Sequence, residues 1–283
     1  MAISIVKASG QHEEFDIQKL VNSLIRSGAP ADAAEMIAGE VAKKIAPSAK
    51  TRDIYRIARK LLKHYNLAAG MRYSLKKALT SLGPSGYPFE QYVGRILQGH
   101  GYSVEVGRII NGYCVRHEVD VLAKKGDEHF IMECKYHSES GKPADVKVAL
   151  YIHSRFNDIK KALELSPEHQ HAVHQGWLVT NTRCTTDAIQ YAECVGLRIM
   201  SWRYPKAGSL EKMIEEKRLY PATILPSARR KTLEALFRNN FILAQDIADT
   251  DEESFLKKSG LDLRTAKAIK READEICPCI PEN

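Results

Sequence analysis

Two short runs either side of Gly126-Asp127 constrain this chain more than any other feature. Val119-Asp120-Val121-Leu122-Ala123 and Phe130-Ile131-Met132-Glu133-Cys134-Lys135 carry the branched and aromatic residues of strands. Glycine at the first central position suits the type II′ turn of a hairpin. A turn centred there pairs Ala123 with Phe130, Val121 with Met132 and Asp120 with Glu133. Opposed residues share a face, with Cβ atoms about 4.5–5.5 Å apart. The period of two adds Lys135 to the face of Glu133. Two carboxylates and an amine therefore converge. Left alone, the carboxylates repel and one tends to keep its proton. A divalent cation removes that conflict, since Mg²⁺ takes carboxylates, waters and phosphate oxygens. The Cys134 carbonyl offers one more oxygen. Such an ion polarises a phosphoryl oxygen and acidifies water. Lys135 would position that water or stabilise charge on the phosphate. The groups suit phosphodiester hydrolysis; the alternative at this point is the exposed face of an ordinary hairpin.

The surrounding residues, 86–205, mix helix and strand. Phe89, Val93, Ile96 and Leu97 mark an amphipathic helix ended by Gly99-His100-Gly101. Strand patterns follow at 102–106, 119–123, 130–135, 176–180 and 197–202, with helical patterns between the later ones. That alternation predicts an α/β domain. The cluster Leu82-Gly83-Pro84-Ser85-Gly86 separates it from residues 1–82. There an apolar run from Ile3 to Val6 precedes a turn at Ser9-Gly10 and several helices, one N-capped by Thr51. Residues 209–283 read as all helix, punctuated by Pro221, Pro226 and Gly260. The last helix starts after Asp262. Its apolar side holds Ala266, Ile269, Ala273 and Ile276, and Arg264, Lys267 and Arg271 form a basic stripe beside Lys270.

A length of 283 residues accommodates these three segments. Forty-two Lys and Arg against 35 Asp and Glu leave a formal charge of +7, which favours polyanion partners. No stretch approaches the ~20 apolar residues of a membrane helix, and no signal-peptide pattern opens the chain, so a cytoplasmic location is expected. Six cysteines in this length are no disulfide scaffold, and Cys277-Pro278-Cys279 lacks the second pair of a zinc site. The histidine-rich run Glu168-His169-Gln170-His171-Ala172-Val173-His174 lacks the spacing of a helical zinc motif. Without a phosphate loop, any ATP would regulate the protein rather than drive it.

Asp120, twelve intervening residues, then Glu133-Cys134-Lys135 resembles the PD-(D/E)xK nuclease motif. The wider stretch, 86–202, resembles Mrr-type restriction endonucleases. It carries Gly86-Tyr87-Pro88-Phe89-Glu90-Gln91-Tyr92-Val93, then His100-Gly101-Tyr102, the hairpin, Val179-Thr180-Asn181 and Thr186-Asp187-Ala188. The resemblance implies a restriction-endonuclease-like α/β/α core with a mixed sheet. It also implies that Glu90 joins Asp120, Glu133 and the Cys134 carbonyl around Mg²⁺ or Mn²⁺, with Lys135 as the catalytic amine.

Val6-Lys7-Ala8-Ser9-Gly10, Glu14-Phe15-Asp16, Lys19-Leu20, Thr51-Arg52-Asp53-Ile54 and Met71-Arg72-Tyr73 resemble a helical ATP-cone, a nucleotide-sensing module. The resemblance implies ATP or dATP contacts at Val6, Lys7, Glu14, Lys19 and Thr51. From the residues alone, those lysines form either an anion site or solvated helix faces. The last segment resembles a helix-hairpin-helix domain with Ser259-Gly260-Leu261 as its hairpin. That implies DNA-backbone contacts from Arg264, Lys267, Lys270 and Arg271, while a helical protein-interaction domain fits the residues equally well. The chain is thus expected to be a multidomain α/β, metal-dependent DNA endonuclease regulated by ATP or dATP. Its expected partners are DNA, a nucleotide effector and further copies of itself, without a membrane. The alternative is a non-catalytic, nucleotide-responsive DNA-binding regulator.

Overall fold

A computed structural model describes residues 3–7, 10–83, 85–139, 141–167 and 172–277. Residues 168–171 and 278–283, which include most of the histidine-rich run and the end of the Cys-Pro-Cys run, lie outside the described residues. The chain forms two compact units. One is Leu79–Pro221 with Asn240–Leu243; the other joins Met1–Ala78 to Ala222–Asn239 and Ala244–Asn283. The sequence suggested separate first and last domains, yet the residues of both ends cluster together.

The chain opens with β1 (Ser4–Val6), antiparallel to β2 (His12–Glu14). Helices α1 (Ile17–Arg26) and α2 (Ala31–Lys44) follow, then β3 (Ala49–Lys50), parallel to β1. Next come α3 (Thr51–Tyr65), α4 (Leu67–Arg72) and α5 (Leu75–Leu79). The apolar run read from the sequence became β1, but β2 and β3 are too short and polar to announce themselves. Asp16 caps α1 by accepting from the Lys19 amide at 3.0 Å. Thr51 is not a cap: Lys50 stands at that position in extended backbone, and Thr51 is the first helical residue. Ile5, Leu24, Ile37, Val41, Ala58 and Leu62 fill the core between strand and helices.

The central unit contains α6 (Tyr87–Gly99) and five strands: β4 (Ser103–Asn111), β5 (Arg116–Lys125), β6 (Glu128–Lys135), β7 (Val173–Thr180) and β8 (Arg198–Met200). They order β4-β5-β6-β7-β8, antiparallel as far as β6 and parallel beyond. Parallel pairing requires crossovers, supplied by α7 (Val146–Glu164) and α8 (Thr186–Val195). Asp145 and Thr185 cap them. On one sheet face Gly94 of α6 lies against Val104 and Val106, where even one extra carbon would meet Val106 Cγ2 at 2.9 Å. On the other, Phe156 and Ile159 of α7 pack on Val119 and Ile131, and α8 covers Leu178 and Ile199. Trp177 and Trp202 are buried. This is the expected mixed-sheet core with helices on both faces. The β5–β6 register is also the expected one: Ala123 pairs with Phe130 and Val121 with Met132. Gly126 turns with φ 59° and Asp127 is not left-handed, as a type II′ turn needs.

Helix α9 (Leu210–Lys217) ends this unit apart from the later residues 240–243. Beyond a short 3-10 turn at Ala222–Ile224 come α10 (Arg230–Arg238), α11 (Ala244–Ala248), α12 (Glu252–Ser259) and α13 (Leu263–Ile276). Gly260 ends α12 in the left-handed region, and Asp262 caps α13, both as the sequence indicated. The apolar face of α13 packs on α4 and on α11 and α12. Thr223 Oγ1 donates to the Ala78 carbonyl at 2.8 Å, tying the two ends of this unit. Among the described residues no helix is long and apolar enough to cross a membrane.

Candidate active site

Asp120 and Glu133 lie one step beyond the last paired rung of the β5–β6 hairpin. There the ladder opens, and the Cys134 amide donates to Asp120 Oδ2 at 2.6 Å. The acid thus takes an amide that continued pairing would have used. Glu133 shares its sheet face with Ile131 and so looks toward α7; Cys134 looks the opposite way, and burial pushes its thiol well above the usual range. Lys135 ends β6 with its side chain exposed. Thr180 Oγ1 donates to its carbonyl at 2.7 Å. The Asn181 side chain then brackets His137, accepting from its amide at 2.9 Å and donating to its carbonyl at 2.8 Å. The strand end that presents Lys135 is therefore fixed on both sides. Glu90 belongs to the first turn of α6.

Glu90 and Glu133 both feel the charge of Asp120. Burial, then the charges of Asp120 and Glu118, pushes Glu90 up to about 7. A carboxylate in a helix's first turn is ordinarily favoured by the helix dipole; here desolvation and like charge outweigh it. Burial followed by Asp120 pushes Glu133 up to about 7, against the opposing pull of Arg155. Asp120 is raised by burial, with the Cys134 amide working the other way. Hard oxygen donors carrying more negative charge than their surroundings tolerate suit a divalent cation. Among the described residues, however, no group of three or more His, Cys, Asp or Glu stands ready to hold a metal ion. Glu133 is already engaged: Arg155 Nη1 of α7 donates to its Oε1 at 2.6 Å, and Nη2 donates to the Glu118 carbonyl.

Arg155 was not among the residues singled out from the sequence. Its partner lies on another element, and a basic residue within a helix carries no sign of that pairing. With Arg116, His117, Glu118, Asp120, Glu133 and Tyr151 it lines an open polar depression of about 340 Å³. One rim of this unit is the β4–β5 connection, clamped by Asp158. Its carboxylate accepts from the Cys114 amide at 2.8 Å, the Val115 amide at 3.3 Å and His117 Nε2 at 2.7 Å. The His117 contact leads in holding Asp158 down at about 2. Tyr113 and Val115 remain exposed at the tip.

The nucleotide candidates are only partly gathered. Val6 pairs with Lys50, next to Thr51, so Val6, Lys7 and Thr51 stand near one end of β1. Glu14 pairs with Ser4 at the other end. Lys7 is engaged with Glu13 at 2.5 Å and Lys19 with Asp16 at 3.6 Å. Of the four basic candidates on α13, Arg264 and Arg271 are exposed. Lys267 meets Glu252 at 3.2 Å. Lys270 turns inward, donating to the Ala248 carbonyl at 2.8 Å and to Asp274 at 2.5 Å. Its ammonium serves the helical packing, so it does not extend the basic stripe it lies beside.

Comparison with known proteins agrees with the central architecture. Residues 83–202 match the restriction endonuclease family model of the Mrr catalytic domain. Residues 220–277, where the sequence suggested a helix-hairpin-helix, match the AF1548-like C-terminal family. An uncharacterized protein of Archaeoglobus fulgidus is 33% identical over 184 residues, covering 65% of this chain and 99% of that protein. The crystal structure of AF1548, a protein of unknown function, is similar with a TM-score of 0.58 and 32% identity, over 68% of this chain and 98% of that one. The chain therefore belongs to the AF1548-like family, its central segment a restriction endonuclease-like domain of the Mrr type.

Proposed function

We propose that the protein is a metal-dependent DNA endonuclease that hydrolyses phosphodiester bonds. The observation that carries this reading is the placing of Asp120 and Glu133 side by side where the β5–β6 ladder opens, with Lys135 at the end of the same strand, in a domain matching the Mrr catalytic model. Glu90, Asp120 and Glu133, with the Cys134 carbonyl, would hold Mg²⁺ or Mn²⁺. Such an ion, when bound, polarises a phosphoryl oxygen and acidifies a water. The chain's own groups do the rest. Asp120 is oriented by the Cys134 amide, so its free oxygen has a defined direction. Lys135 extends from a strand end held by Thr180 and meets the attacking water or the charge developing on phosphate. In this reading the first segment binds ATP or dATP through Val6, Lys7, Glu14, Lys19 and Thr51. Arg264, Lys267 and Arg271 touch DNA backbone, copies of the chain assemble, and nucleotide shifts cleavage through different affinities for two states.

A second reading, a non-catalytic nucleotide-responsive DNA-binding regulator, draws on one observation. Arg155 pairs with Glu133 at 2.6 Å, so one of the would-be metal-binding acids already has a protein partner. Supercoiled-plasmid nicking with Mg²⁺ or Mn²⁺, comparing wild type with Asp120→Ala and Lys135→Ala with and without ATP or dATP, separates the two. Cleavage abolished by both substitutions is the result expected. Intact DNA binding without cleavage under any condition would establish the regulator.

A further inference from the structure

Arg155 occupies an unusual position for a structural ion pair. Its guanidinium is on the wall of the open depression rather than in the core, 16% exposed against 23% for Glu133. Tyr151, one turn earlier on α7, lies beneath it, ring centroid 5.5 Å from Cζ. The fork is divided between two oxygens on different residues, Glu133 Oε1 and the Glu118 carbonyl. A guanidinium has five donors in one plane, and that fork fits a phosphate as well as a carboxylate. Asp120 lines the same depression. A phosphate drawn to the carboxylate cluster by a cation would come within reach of this arginine.

We propose that Arg155 serves two anions in turn: without a cation it neutralises Glu133, and when Glu133 turns to a divalent cation the guanidinium is released to a non-bridging oxygen of the DNA phosphate. Arg155 is then an internal competitor of the metal and a phosphate-contacting residue of the loaded site. This inference rests on the nuclease reading. It makes two demands of opposite sign. Removing the guanidinium frees Glu133 and takes away a positive charge that repels an incoming cation, so cation binding tightens. The same change removes one phosphate contact, so DNA binding weakens and loses salt dependence. A merely structural pair would lose both affinities together as the site loosened.

The test uses the full chain. Ca²⁺ binding is measured by calorimetry without DNA, and DNA binding by fluorescence anisotropy in Ca²⁺ across a salt series, for wild type, Arg155→Gln and Arg155→Lys. Arg155→Gln is expected to bind Ca²⁺ several-fold more tightly and DNA several-fold more weakly. Its slope of log affinity against log salt should shrink by about 0.9, the value of one phosphate contact on duplex DNA. Arg155→Lys, which keeps the charge, should return cation affinity and slope toward wild type. Glu133→Gln, measured without cation, provides an independent arm that leaves the arginine in place. Freed from its carboxylate, Arg155 should tighten DNA binding and steepen the slope by the same amount. Unchanged or weaker Ca²⁺ binding in Arg155→Gln, or an unchanged slope in Glu133→Gln, overturns the exchange while leaving a cleaving wild type a nuclease. A wild type that neither binds Ca²⁺ nor cleaves overturns the nuclease reading and the exchange together.

Discussion

Asp120 and Glu133 meet because the turn between them is short. Their juxtaposition follows from one glycine and a count of residues, and both were readable before any fold was known. Arg155 pairs with Glu133 across 22 residues and from a different element, and no local pattern encodes such a contact. Lys270 illustrates the converse. Helical spacing put it beside a basic stripe, but spacing does not say that a flexible ammonium will turn back to the Ala248 carbonyl. At this scale the function is most sharply tested by Asp120→Ala, expected to reduce plasmid cleavage by roughly a hundredfold or more; near-wild-type nicking would remove Asp120 from the site. A second residue concerns stability alone. Glu272 of α13 is buried and accepts from both the amide and the hydroxyl of Ser227 at 2.9 Å. Glu272→Ala strands a buried amide, which costs about 1–3 kcal/mol. Urea melts monitored on the unit that includes α13 would register that loss, and an unchanged midpoint would contradict it.

Among the elements, α7 does most to shape the depression. It fills the crossover between β6 and β7, carries Tyr151 and Arg155 to the carboxylates, and holds the β4–β5 connection through Asp158. Its seat depends on a missing side chain opposite. A Cβ at Gly176 of β7 would meet ring carbons of Phe156 at 2.7–3.0 Å, too close for carbon. A ring packed in a core has little room to yield, so Gly176→Ala should destabilise by about 1–3 kcal/mol. Because Phe156 follows Arg155, it should also lower cleavage. A variant with wild-type stability would show that the ring moves freely. Asp158→Ala should release the clamped connection and speed hydrogen exchange at the Cys114 and Val115 amides, leaving the rest of the sheet protected. The sequence announced β5 and β6 by their alternation and α7 as a helical stretch. It did not announce the clamp, since one aspartate accepting from three donors resembles any exposed acid until the chain has folded.

For the molecule as a whole, the acid cluster sets a pH dependence opposite to that of ordinary salt-bridged acids. Glu90 and Glu133 are held near 7, above the 4.5 of a free glutamate. Between those values the folded state binds more protons than the unfolded chain, so stability falls as pH rises and levels off above about 7. Asp158 works in the other direction. Its depressed value adds stability above the ordinary carboxylate range, lost as pH falls toward 2. Cation-free protein should therefore melt at a higher temperature at pH 5 than at pH 8, with Glu133→Gln flattening the difference. Added Mg²⁺ should raise the pH 8 melt most, since ionised oxygens are then available. His137, lowered chiefly by burial, works the other way in this window, so the decisive result is the variant: an unaltered pH difference in Glu133→Gln would refute the cluster's electrostatics. Punctuation and pattern divided the sequence into three segments, and nothing in them indicated that residues of the first and last would cluster in one unit. An apolar face on α13 says that something covers it and is silent on what.

That joining has a consequence for how the protein is made. The helix that covers α4 leaves the ribosome long after it, with the main run of the central unit between the two. At about 5–20 residues per second, the residues separating α4 from α13 take roughly 10–40 s to synthesise. Through that interval α4 lacks the helix that covers it, while the central unit, a continuous run but for four residues, can already close its sheet. The central unit would then be in place before α4 and α13 meet, and a chain truncated just before α13 would have that unit whole and the other unfinished.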